Sequence, residues 1–131
     1  MITKTMKAAL SLLLFTLFTI GNITAQSDEE CAILHNGTFT YGEADNIVTV
    51  KIEGENHMEY HNEGKYYIKS KLIWVNECEY NMTMKKVTIP NFPYGKGDVM
   101  NVKVSAVEGN VIKYTSTVQG QSWEGIITKI E

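Results

Sequence analysis

The chain has 131 residues with 12 basic and 15 acidic side chains, a formal net charge of −3, and none of the basic residues is arginine. Without guanidinium forks or a positive balance it is poorly equipped for phosphate or base recognition, which excludes nucleic acid as an expected partner. Its length suits one domain that buries ~60–70% of its unfolded surface.

Residues 1–25 read as a secretory signal. Lys4 and Lys7 precede an apolar run from Ala8 to Ile20, and Ile23-Thr24-Ala25 before Gln26 supplies small residues at a cleavage point. The run is shorter than the ~20 apolar residues that span a bilayer, so no membrane span is expected after cleavage. Ser27-Asp28-Glu29-Glu30 before Cys31 argues against a lipid-anchored cysteine. The expected location is therefore exported, either periplasmic or secreted. Cleavage removes two lysines and no acid, leaving ten positive charges against fifteen negative. Only two cysteines are present, Cys31 and Cys78, and in an exported chain they are expected to form one disulfide. It would tie an N-terminal segment, 26–36, to the domain formed by 37–131.

From residue 37 onward the pattern is period two, which predicts strands and short turns. The expected inward residues begin with Phe39 and Tyr41, then Val48, Val50 and Ile52, then Met58 and Tyr60. Tyr66, Ile68, Ser70, Leu72 and Trp74 follow, then Cys78, Tyr80, Met82 and Met84. The second half adds Met100, Val102, Val104 and Ala106, then Ile112, Tyr114, Ser116 and Val118, then Trp123, Gly125 and Ile127. Three-residue loops at 54–56, 62–64, 75–77 and 108–110 keep these residues on one face, setting Ile52 opposite Met58, Tyr60 opposite Tyr66, Trp74 opposite Cys78 and Ala106 opposite Ile112. A turn at 75–77 is required because an uninterrupted strand over residues 65–84 would exceed ~60 Å. The fold class expected is all-β: an eight-stranded antiparallel up-and-down meander closed into a small barrel, since closure removes the sheet edges.

Cys31, the segment GTFTY (Gly37 to Tyr41), IWVNECEY (Ile73 to Tyr80) and a signal ending in Thr24-Ala25-Gln26 resemble short exported lipocalin-like (calycin-type) barrel proteins of Bacteroidota. Phe39 follows Gly37-Thr38 where the larger lipocalins carry a Gly-x-Trp signature. The resemblance implies a binding module. Similar short sequences have carried a topoisomerase label, but an acidic exported chain of this size lacks room for ATP-driven machinery.

Tyr41, Tyr60, Tyr66, Ser70, Trp74, Tyr80, Tyr114 and Ser116 fall on the expected inner face and form the candidate ligand site. Buried phenols need partners, so this set suits a small apolar or amphipathic molecule. The competing expectation is an interior filled by the same rings, with function moved to the Pro90–Gly97 loop, where Phe92 and Tyr94 would meet a protein partner. His57, Glu59 and His61 alternate along one strand and are expected on its outer, solvated face. The two imidazoles would stand ~13 Å apart at Cα, so no metal site and no cofactor is expected. His35 has no evident partner. With no paired nucleophile and base, Gly-rich phosphate loop or nucleophile elbow, no enzyme activity is expected.

Overall fold

The computed structural model describes residues 27–131; the expected signal segment, 1–25, lies outside the described residues. The first element is a single helical turn, α1 (Asp28–Cys31), followed by a 3-10 turn over Ala32–Leu34. Ser27 caps α1 by accepting from the Glu30 amide, and its hydroxyl donates to the Glu30 carboxylate. The Ser-x-x-Glu spacing is that of a capping box.

Eight strands follow: β1 (Asn36–Tyr41), β2 (Val48–Glu53), β3 (Asn56–His61), β4 (Tyr66–Asn76), β5 (Glu79–Val87), β6 (Val99–Glu108), β7 (Val111–Val118) and β8 (Gln121–Lys129). Each pairs antiparallel with its sequence neighbour, and β1 pairs with β8, so the sheet is a closed barrel. Closure is short, with Phe39 opposite Lys129 and Thr40 opposite Thr128, extended by Ile130 N–H donating to the Thr38 carbonyl at 2.8 Å. The expected all-β, up-and-down architecture is observed.

The inward residues of β2, β4, β5 and β7 follow the expected parity, with Val50, Ile52, Ile68, Leu72, Met82, Met84 and Ile112 all buried. Strand β3 is inverted. Ile52 lies opposite His57 and Glu53 opposite Asn56, so the hairpin loop has two residues, Gly54-Glu55, where three were expected. Gly54 has φ of 60°, the first central position at which a two-residue II′ turn favours glycine. The shorter loop shifts β3 by one residue and sends Met58 and Tyr60 outward. Tyr60 is covered by Lys51, whose Nζ lies 5.9 Å from the ring centroid. The next loop has four residues, with His61 opposite Tyr66, and it restores the expected parity of β4.

A second pair of departures also cancels. The β6–β7 loop is again two residues, setting Val107 opposite Ile112, and an irregularity between Val104 and Ala106 reverses the face of the last turn of β6. Val107 thus packs on the core in place of Ala106. At the β4–β5 hairpin Asn76 lies opposite Glu79 and Trp74 opposite Tyr80, two residues from the expected register. Asn76 Oδ1 accepts from the Cys78 amide at 2.8 Å, which bends the chain at Glu77-Cys78 in the manner of an Asx turn.

The N-terminal segment closes one end of the barrel. Cys31 and Cys78 form a disulfide with a Cα separation of 5.2 Å, and Cys31 and Leu34 are buried in the core cluster. The Gly54 amide donates to the His35 carbonyl at 3.1 Å, and Lys129 Nζ donates to the Ile33 carbonyl at 3.0 Å. His35 has a partner after all: its ring stacks on Trp74 with centroids 3.5 Å apart and 13° between planes. Its Nε2 donates to the Glu77 carbonyl at 3.0 Å. The opposite end carries the β1–β2, β3–β4, β5–β6 and β7–β8 connections, including the long segment that holds Phe92 and Tyr94.

Candidate functional site

The barrel interior is incompletely filled. A cavity of about 210 Å³ lies between the plugged end and the long β5–β6 loop. Its apolar wall includes Val50, Ile68, Met82, Met84, Met100, Val102 and Ile127, with Phe92 and Trp123 among the aromatics. Trp123 is 41% exposed and still lines the cavity, so the space reaches the surface. A second depression, on the outer wall, is lined by the exposed Ser105, Lys113, Glu124 and Ile126 and by the half-buried Tyr114 and Gly125.

Four of the candidate ligand residues meet in the cavity: Tyr41, Tyr80, Tyr114 and Ser116. The other four lie elsewhere. Tyr60 is on the outside of β3, and Tyr66 sits at the start of β4 with Lys65 Nζ 5.4 Å from its ring centroid. Trp74 belongs to the plugged end. Ser70 points inward and is buried, but it stands opposite His57 and away from the cavity wall. Phe92 and Tyr94 are half-buried and packed edge to face with centroids 6.1 Å apart.

The inversion of β3 brings in three residues that were expected in solvent. His57, Glu59 and His61 all line the cavity. Glu59 is the centre of the polar patch: its side chain is 13% exposed, and its Oε1 accepts from the Tyr41 hydroxyl and from His61 Nε2, the latter at 3.0 Å. Burial pushes the Glu59 carboxyl up, but the His61 and Tyr41 hydrogen bonds outweigh it and hold it below the usual carboxylate value. Since an ionised carboxylate only accepts, Tyr41 and His61 must both be donors. Burial raises the pKa of Tyr41, Tyr80 and Tyr114, and the Glu59 charge raises each further. All three phenols therefore stay protonated at neutral pH.

His57 is 5% exposed and its pKa is lowered, chiefly by burial. Its Nδ1 and the Ser70 hydroxyl oxygen are buried without a hydrogen-bond partner. Tyr114 owes its position to its cross-strand partner Gly125, because a methyl group there would collide with the phenol ring. Among the described residues no group of three His, Cys, Asp or Glu is arranged to hold a metal ion. The only signal in the sequence that could have revealed the histidines' position was the Gly-Glu pair at 54–55, compatible with a two-residue hairpin.

The buried polar patch makes folding acid-sensitive. Both His57 and Glu59 have folded pKa values below their ordinary ones of 6.5 and 4.5, so the unfolded chain binds protons first as pH falls. Stability from His57 is present above pH 6.5 and is lost as pH drops toward its folded pKa; that from Glu59 is present above pH 4.5 and is lost below it. The urea midpoint should decline from pH 7 to pH 4, and His57→Phe should flatten the upper part of that decline. An unchanged slope between pH 6.5 and 5 in the variant would contradict a buried neutral imidazole.

The eight-stranded antiparallel barrel is consistent with a lipocalin-like fold. Set against known protein families, curated proteins and solved structures, the chain matches none. Among the described residues no helix is long and apolar enough to cross a membrane.

Proposed function

We propose that the protein is an exported binding module that holds a small amphipathic molecule inside its barrel. The observation that carries this reading is the 210 Å³ cavity, with methionine, valine and isoleucine on most of its wall and a buried carboxylate and phenols on the rest. Ligand sites combine an apolar lining with a few convergent polar groups in this way. A cavity of ~150 Å³ takes a benzene molecule, so the enclosed part of the occupant would have roughly eight heavy atoms. Export is supported by the signal-like residues 1–25 and by the Cys31–Cys78 disulfide. Phe92 favours this reading over a protein-contact loop, because its ring forms part of the cavity wall.

The test is native mass spectrometry of protein purified from its own host. A reproducible adduct, released on denaturation and diminished in Ser116→Phe, which fills the cavity, is the expected result. Protein recovered only at the mass of the bare chain would count against ligand carriage.

A further inference from the structure

The polar groups of the cavity are arranged asymmetrically around Glu59. Both hydrogen bonds that Glu59 receives fall on Oε1, and Oε2 has no protein donor among the described residues. The phenols of Tyr80 and Tyr114 lie within electrostatic reach of this carboxylate, and neither has a protein hydrogen-bond partner among the described residues. No lysine lines the cavity. His57, the deeper of the two histidines on β3, disfavours its own protonation because it is buried. The interior therefore contains a carboxylate whose Oε1 is held by Tyr41 and His61 and whose Oε2 is uncommitted, in surroundings where an unsatisfied polar oxygen is costly.

An anionic ligand would be repelled by Glu59, and a purely apolar one would leave Oε2 and the two phenols dry and unpaired. A cation satisfies all three, because an ammonium brings only donors, and the carboxylate and phenol oxygens can accept them. The remaining wall suits the rest of such a molecule. Phe92 and Trp123 add aromatic surface to the wall, which suits cationic and apolar groups alike, and Met82, Met84 and Met100 adapt to an irregular apolar body.

We propose that the cavity selects a small organic cation: an ammonium on a short aryl or alkyl body, its head against Glu59 Oε2 and the Tyr80 and Tyr114 hydroxyls, its body toward Phe92, Met100 and Trp123. This rests on the binding-module reading above and names the ligand class of the same site. The head is recognised by charge and hydrogen-bond acceptance. The part of the molecule held inside the barrel is limited by volume to roughly eight heavy atoms.

The experiment is isothermal titration of the intact protein at neutral pH with 2-phenylethylamine and several alkylamines of similar size, each beside its alcohol isostere. At least one amine should bind about tenfold or more tighter than its alcohol, since a charge-assisted hydrogen bond is about twice as strong as a neutral one. Glu59→Gln, which keeps the shape of the side chain and an accepting oxygen, should erase the difference. Tyr60→Phe, on the outer face of β3, should leave it intact. Alcohols binding as tightly as amines would overturn the cation assignment while leaving ligand carriage standing, as would amine preference that survives Glu59→Gln. Failure of every amine to bind, with a host-derived adduct still present, would likewise reject the cation alone. Failure of both measurements would reject the binding-module reading with it.

Discussion

Loss of the Cys31–Cys78 bond is expected to lower the unfolding free energy by about 4 kcal/mol in the chain-entropy account, with smaller measured values common. The closed loop is long, the two cysteines being separated by 47 in sequence, so the unfolded chain regains much freedom when the link is cut. The native state also loses a fixed plug. Ser27 to Leu34 has only one short helical turn and one 3-10 turn of its own, and such pieces do not persist without tertiary support. Leu34 would then leave an apolar opening beneath it. Thermal unfolding of Cys31→Ala/Cys78→Ala beside the wild type should show a midpoint lower by roughly 15–25 °C for a domain of this size. A decrease of less than about 3 °C would mean that the segment is held by packing alone.

Trp74→Ala should cost about 3 kcal/mol, near the lower end for a large aromatic because the indole is half-buried. The residue holds the same end of the barrel by three contacts. Its Nε1–H donates to the Gly54 carbonyl at 2.9 Å, its face stacks on His35, and it meets the Tyr80 ring edge to face at 5.0 Å. Since the indole bridges the N-terminal segment to the β2–β3 turn, its loss and that of the disulfide should be less than additive. Urea unfolding of the single and combined variants measures this directly. A Trp74→Ala cost below about 1 kcal/mol would be incompatible with an indole that bridges the two.

Much of the barrel was legible from the alternation of apolar and polar residues. Phe39, Val50, Ile68, Leu72, Met82, Ile112 and Ile127 are buried where period two puts them, and strands of this pattern joined by short turns have few other ways to cover their edges. The candidate site was legible only in part. Tyr41, Tyr80, Tyr114 and Ser116 line the cavity as the alternation predicts, whereas a three-residue loop at 54–56 would put His57, Glu59 and His61 on the outer face and the two-residue loop observed turns them inward. The alternation in β3 is ambiguous by nature: Met58 and Tyr60 on one side, two histidines and a glutamate on the other, with neither set required by its chemistry to be inside. A single-residue slip exchanges the two faces, and the four-residue loop before β4 hides the slip from every later strand.

The sequence by itself determined the strand order, the disulfide partners and the apolar side of most strands, because each depends on local periodicity or on there being only two cysteines. Tertiary structure decided which side of β3 faces inward and whether the interior is full. Both depend on the backbone angle at Gly54 and on how side chains from seven other strands share one volume, and no local stretch of residues encodes that sum. The outcome places a carboxylate, two imidazoles and three phenols around a space that they do not fill.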